Sequence, residues 1–261
     1  MSQAELERAA ALVCDAEYSI ALTGAGMSTP SGIPDFRSPE SGLWATFDPM
    51  TVASLAGFRQ APERFFAWMR SLAPAFLHAT PNAAHVALAQ LESLGKLQSI
   101  ITQNIDMLHQ QAGSQNVYEV HGHLREATCI SCFKRFDLPP LMQAFVDDPA
   151  QSAIRCACND PRAPSILKPN VILFGEQLPA RVLESAQRAT RRCDLMLVAG
   201  SSLEVYPVAD FPRKALAHGA RLILVNYHPT SYDKMADVVI QGNVAEVLPR
   251  LVDLVRTRLA K

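Results

Sequence analysis

The sequence predicts an α/β fold: a parallel sheet covered by helices on both faces, joined to a second, smaller domain. Three observations carry this expectation. Short continuous apolar runs recur along the chain, separated by segments of helical character, and buried parallel strands show that continuous pattern rather than an alternating one. Two stretches break the rhythm. Residues 41–79 hold both tryptophans and many phenylalanines, and residues 125–162 hold four of the six cysteines. A chain of 261 residues, 49% of them apolar, is long enough for one large core and a satellite.

The elements follow in order. MSQAELERAAALVCDAE reads as an opening helix, with Ser2 and Glu5 spaced as a capping box. It has acids early and no basic n-region, so it is not a secretory signal. Residues 18–23 read as a strand. Thr80-Pro81-Asn82 opens a helix that Gly95 closes, with proline at the first helical position. Leu97–Thr102 is the next strand, followed by Asp194–Ala199, Arg221–Asn226 and Asp237–Ile240. Helical patterns cover 179–190, 208–218 and 244–259. The larger domain is expected to comprise 1–40, 80–124 and 163–261. The smaller comprises 41–79 and 125–162, a helical module and a cysteine module, with a ligand cleft between the two domains.

Composition excludes several classes. Net charge is −1 and the sequence pI is about 6.7, which leaves no basic surplus for a nucleic acid. No apolar run approaches the roughly 18 residues of a membrane helix. The chain is read as a cytoplasmic monomer with neither a nucleic-acid nor a membrane partner.

The cysteines run Cys129-x2-Cys132, then 23 residues, then Cys156-x-Cys158. Four thiolates in two close pairs suit one tetrahedral ion, and such a closed set makes zinc structural. The second pair is one residue tighter than the usual knuckle, so two separate buried or redox-active pairs are the alternative. Cys14 and Cys193 read as buried core thiols.

Five strand ends carry polar chemistry. Gly24-Ala25-Gly26 follows the first strand. Glycines there let backbone amides approach a pyrophosphate at a helix start, although Thr29 and the missing second-strand acid break the dinucleotide fingerprint. An ordinary tight turn is the alternative. Gly200-Ser201-Ser202 and Asn226 end later strands, placed for phosphate, ribose or adenine. Thr102-Gln103-Asn104-Ile105-Asp106 places three polar side chains at a strand end, where Asn104 is alternatively a helix N-cap over 106–111. His121 stands before Gly122 at another strand end, suited by its ordinary pKa to accept a proton. His78, His85, His109, His218 and His228 receive no role.

GAGMSTPSGIPDFRSP, TQNIDMLHQQAG, the VHG step, the paired cysteines, LFGE, GSSLEV and EVLPRLV occur in this order. In that order, from residue 18 to about 252, the chain closely resembles the sirtuins, the NAD-dependent protein lysine deacylases. The resemblance implies a Rossmann-like sheet, NAD as a consumed co-substrate and structural zinc on Cys129, Cys132, Cys156 and Cys158. It implies attack of an acyl-lysine oxygen on the nicotinamide ribose, with release of nicotinamide, lysine and an O-acyl-ADP-ribose. The cofactor set it implies is Gly24, Ala25, Gly26, Asp35, Phe36, Arg37, Gln103, Asn104, Ile105, Asp106, Gly200, Ser201, Ser202 and Asn226. Within that set Phe36 covers the reacting ribose, Gln103 bonds its hydroxyls, Asn104 holds the ribose or a water, and Asp106 receives the nicotinamide amide. His121 is the general base.

By the same resemblance an acyl-lysine protein or peptide lies extended between Val171–Gly175 and Leu203–Val205. Val171, Phe174, Gly175, Glu204 and Val205 are the expected contacts. Asn170 stands where the family usually has Asp. Met69 and Leu72 fall where desuccinylating members carry Tyr and Arg, so an apolar tunnel and deacetylation above desuccinylation are expected. An NAD oxidoreductase, a zinc-dependent nucleic-acid-binding module, a deacylase for longer chains and a mono-ADP-ribosyltransferase are the rival readings.

Overall fold

The computed structural model describes residues 2–35, 47–158 and 165–261. Helix α1 (Gln3–Asp15) opens with the expected capping box. Ser2 Oγ accepts from the Glu5 amide at 3.2 Å and the Glu5 carboxylate accepts from the Ser2 amide at 3.1 Å. Strand β1 (Ser19–Thr23) follows, then two 3-10 turns over Ala25–Met27 and Thr29–Ser31. The first insertion forms α2 (Pro49–Val52), α3 (Leu55–Gln60) and α4 (Pro62–His78). Helix α5 (Ala83–Ser93) is capped by Asn82, whose side chain accepts from the Ala84 amide at 2.9 Å. Pro81 therefore lies before the cap, not at the first helical position. Gly95 ends the helix at φ 70°, a left-handed conformation that glycine adopts without strain.

Next come β2 (Ser99–Thr102), α6 (Leu108–Gln111) and β3 (Val117–Glu119). The second insertion holds β4 (Gly122–Cys129), β5 (Arg135–Asp137) and α7 (Leu138–Asp147), and β6 (Leu167–Val171) returns from it. The chain finishes with α8 (Ala180–Arg192), β7 (Leu195–Ala199), α9 (Phe211–Ala217), β8 (Arg221–Asn226), β9 (Val238–Gln241) and α10 (Val244–Leu259).

Six strands form one parallel sheet in the order β3-β2-β1-β7-β8-β9. Successive side chains on a strand face opposite ways, so the sheet feeds two cores. Ala21, Ile100, Leu197 and Ile223 pack under α1, α5 and α10, while Ile20, Leu22, Met196 and Leu224 pack under α8 and α9. Helix α10 buries Val244, Val247, Leu248, Leu251, Val252 and Val255. At about 1.5–3 kcal/mol per large side chain, this face outweighs any capping contribution to docking. Cys193 is buried in the second core, which pushes its thiol up to about 12. Cys14 is half-buried rather than buried, packed at the edge of the first.

The small sheet is antiparallel, in the order β5-β4-β6. A third core lies beneath it, built from both insertions: Phe58, Phe65, Phe66 and Trp68 from α3 and α4, Phe145 from α7, and Leu167 and Val171 from β6. The strand register thus places Gly122–Leu124 and Leu167–Val171 in the small sheet, although the expected boundaries assign both to the larger domain. Pairing between β4 and β6 joins residues about forty apart and leaves no local signature. Among the described residues, no helix is long and apolar enough to cross a membrane.

Candidate active site

The chain runs outward from β1 in both directions, to β2 and β3 on one side and to β7, β8 and β9 on the other. Open parallel sheets bind ligands at such a switch point, outside the carboxyl ends of the strands. Gly24–Gly26 and Gly200 flank it, and Gln103–Asp106 and Asn226 end the strands beside it.

The two glycine loops touch backbone to backbone. The Gly26 amide donates to the Gly200 carbonyl at 2.8 Å, and Gly24 to Ala199 at 3.3 Å. A Cβ on Gly200 would lie 2.3 Å from the Met27 nitrogen, and Gly200 has φ 62°. The glycines are therefore required for loop-on-loop contact. Their own amides do not face an open site, and in this run, among the described residues, the Ala25 amide is the one no acceptor meets. The segment after it is 3-10, not the α-helix start the anion argument uses.

The middle cluster is one hydrogen-bonded unit. Asn104 Nδ2 donates to the Gly24 carbonyl and to Ser28 Oγ, each at 3.0 Å. Both amide hydrogens are engaged, so the amide cannot flip, and Oδ1 is left to accept from a ligand. Ser28 Oγ donates to Asp106 Oδ2 at 2.6 Å, and Asp106 Oδ1 accepts from the Leu108 amide at 3.0 Å. Asp106, not Asn104, thus meets the free amides of α6, and the N-cap itself is Met107 at φ 66°. Burial pushes the Asp106 carboxyl up, and the Ser28 and Leu108 bonds oppose that. Gln103 Nε2 donates to Ser201 Oγ at 2.8 Å. Asn226 clasps Ser201 from both sides, accepting its amide at 2.9 Å and donating to its carbonyl at 3.1 Å. Ser202 is exposed and Ser201 buried. Ser28 was not singled out in the sequence, although it lies within the glycine run.

His121 follows β3, half-buried, with Nδ1 3.1 Å from the Gln103 carbonyl. A carbonyl only accepts, so the neutral ring carries its proton on Nδ1 and keeps a lone pair on Nε2. Gly122, at φ 78°, lets the chain turn there. A Cβ would lie 2.0 Å from the Asn170 carbonyl. Ile105 packs at the edge of the small core. Asp35 is described; Phe36 and Arg37 lie outside the described residues.

The expected peptide edges are less open than the sequence suggests. The Ile172 amide donates to the His121 carbonyl at 2.8 Å and Leu173 to the Glu176 carboxylate at 3.0 Å. Phe174 bonds Ala53 and Leu55 through both backbone groups, at 2.9 Å each. Glu176 also meets Lys168 at 3.0 Å. Gly175, at φ 81°, keeps its amide clear among the described residues. Residues 203–205 are a loop rather than a strand, with Leu203 at φ 57°, Glu204 exposed and Val205 half-buried.

Met69 and Leu72 are buried in the small core. Arg70 lies over the Phe145 ring at 3.7 Å and donates to the carbonyls of Phe145, Asp148 and Gln151 at the end of α7. It is engaged as a helix C-cap and unavailable to an acyl carboxylate. Asn170 accepts from Thr128 Oγ1 at 2.8 Å and donates to Glu126 at 3.3 Å. An Asp there would face the Glu126 carboxylate.

The four cysteines come together. Cys129 and Cys158 sulfurs are 3.7 Å apart, Cys132 and Cys156 are 3.8 Å apart, and all four lie within 4.8 Å of one another. A tetrahedron of Zn–S bonds of about 2.3 Å has edges of about 3.8 Å, so the set fits zinc. Burial pushes the Cys129 thiol up, but hydrogen bonds from the Cys132 and Ser131 amides and from the Cys132 and Cys158 thiols outweigh that and bring it down to about 6.

Residues 24–207 match the Sir2 family. An NAD-dependent protein deacylase 2 of Archaeoglobus fulgidus is 41% identical over 252 residues, covering 97% of this chain and 96% of its own. An NAD-dependent protein deacetylase 1 of Pyrobaculum aerophilum is 40% identical, covering 98% and 96%. Among solved structures, a Sir2 enzyme studied for mechanism and regulation superposes with a TM-score of 0.90 at 40% identity, covering 98% of this chain and 100% of that one. A Sir2 complex with p53 peptide and NAD+ superposes with a TM-score of 0.83 at 36% identity, covering 93% and 95%. A Sir2 protein bound to a myristoylated histone peptide matches at 0.84 and 36%, with full coverage of both chains. The chain belongs to the Sir2 family.

Proposed function

We propose that this protein is an NAD-dependent protein lysine deacetylase that transfers the acyl group to ADP-ribose and releases nicotinamide. The observation that carries the reading is the convergence of Gln103, Asn104, Asp106 and His121 beside the switch-point glycines, in a member of the Sir2 family. Bound NAD supplies a ribose carbon that already bears a cationic leaving group. The protein's own residues then have five tasks. The Ala25 amide and Ser202 meet phosphate oxygens, and the Asn226–Ser201 clasp fixes the second loop. Asn104 Oδ1 and Gln103 accept from ribose hydroxyls. The Asp106 carboxylate accepts from the nicotinamide amide. His121 Nε2 takes a proton from a ribose hydroxyl, a form of help worth roughly 10²–10⁴-fold. Asp35, together with Phe36 and Arg37 outside the described residues, contacts the cofactor and keeps water from the ribose.

The acyl-lysine peptide lies in the cleft between the two units, near Val171, Phe174 and Gly175 on one side and Glu204 and Val205 on the other. The buried Met69 and Leu72, with Arg70 engaged on α7, favour an uncharged acyl chain. Zinc on the four cysteines is structural. Free thiols gathered as a metal set suit a reducing compartment, and the protein acts there as a cytoplasmic monomer.

The test is mass spectrometry of an acetyl-lysine peptide with and without NAD. Loss of the acetyl mass only with NAD, together with nicotinamide and acetyl-ADP-ribose, is expected. A succinyl peptide should react at least tenfold more slowly, and equal rates would overturn the apolar tunnel. Reaction of a myristoyl peptide alone would shift the assignment to long acyl chains. Mass added to a protein as ADP-ribose would favour transferase activity instead.

A further inference from the structure

Two buried histidines outside the reacting cluster each have one unmet ring nitrogen. His85 on α5 and His109 on α6 are essentially inaccessible, with ring centroids 4.9 Å apart in edge contact. His85 Nδ1 accepts from the Asn82 amide at 3.3 Å, so the neutral ring carries its hydrogen on Nε2, where no acceptor is found among the described residues. His109 Nε2 lies 3.0 Å from Thr23 Oγ1, Thr23 Oγ1 donates to Thr102 Oγ1 at 2.9 Å, and Thr102 Oγ1 accepts from the Asn104 amide at 3.1 Å.

Thr23 Oγ1 donates to Thr102 Oγ1, so it accepts from His109 Nε2–H. The neutral His109 ring then leaves Nδ1 as a bare acceptor, without a partner among the described residues.

We propose that His109 is a positioning residue for Asn104, joined to it by a directed hydrogen-bond chain through Thr23 and Thr102. The inference rests on the reading of Asn104 as an NAD-ribose contact. The chain fixes the Asn104 backbone from behind the sheet, while Gly24 and Ser28 fix its side chain from the front. Neither histidine touches the ligand.

Two measurements test it. In ¹⁵N NMR of the wild-type protein, His109 should be protonated on Nε2 and bare on Nδ1. The opposite His109 tautomer would overturn the chain without any mutant. In kinetics, Thr23→Val and His109→Phe should each raise the KM for NAD about tenfold and leave the KM for acetyl-peptide within twofold. The double variant should be no worse than either single one, and Thr23→Ser should restore the wild-type value. Additive losses, or equal loss for both substrates, would mean a merely structural role and overturn the proposal. A wild-type protein without NAD-dependent deacetylation would instead refute the functional reading, and the tautomers would still decide the chain.

Discussion

His121 is placed to act through one nitrogen because its other nitrogen is occupied. The Gln103 carbonyl holds Nδ1–H at 3.1 Å, which puts the lone pair of the neutral ring on Nε2. His121→Ala removes the base and leaves the Asn104–Ser28–Asp106 unit intact. NAD binding by calorimetry should stay within threefold of wild type, while deacetylation falls roughly 10²–10⁴-fold. Near wild-type turnover would remove His121 from the mechanism. The same attention to individual bonds revises the glycine run. Gly24 and Gly26 are indispensable because their loop meets Gly200, not because their amides are offered to a phosphate.

Between elements, the antiparallel pair β4–β6 explains a departure from the family pattern. Asn170 on β6 can serve Thr128 as an acceptor and Glu126 as a donor, which no carboxylate does. Asn170→Asp would set two carboxylates against each other, and like charges across a sheet cost about 0.2–1 kcal/mol. For a chain of this size the midpoint should drop by about 0.4–4 °C at pH 7. The deficit is present at neutral pH and disappears as pH falls through the carboxylate range, because the folded state then holds the shared proton. A pH series of thermal melts reads this, and an unchanged midpoint at pH 7 would show that the pair is too well solvated to matter. Arg70 makes a comparable point between α4 and α7. A cation near the tunnel position by sequence is in fact bound to helix-end carbonyls.

For the whole molecule, the decisive feature is a third core assembled from two separate insertions and β6. Its cysteine corner ties Cys129 and Cys132, at the end of β4, to Cys156 and Cys158 beyond α7. A structural zinc site is worth about 10–16 kcal/mol in isolated peptides, as much as the whole net stability of a typical domain. Removing zinc with a chelator should therefore expose β4–β6, α4 and α7 to hydrogen exchange while β1, β7 and β8 stay protected. Deacetylation should be lost with them, since Phe174 is bonded to Ala53 and Leu55 of that unit. Unchanged protection of β4 after zinc release would show that the small core stands without the metal.

What the sequence determined by itself is local. The capping box of α1, the apolar runs of β7 and β8 and the apolar face of α10 are short-range patterns whose periodicity sets their structure wherever they fold. The motifs at the strand ends likewise marked Gln103, Asn104, Asp106 and His121 as candidates, and the structure brings them together at one end of the sheet. The tertiary structure decided everything that needed two distant segments to meet. It brought the tight Cys156-x-Cys158 pair onto Cys129 and Cys132, added β6 to the small sheet and closed Asn226 on Ser201. It also linked His109 to Asn104 through Thr23 and Thr102. Each of these is a bond between residues remote in the chain. Its formation depends on burial and on strand register, which no local periodicity encodes.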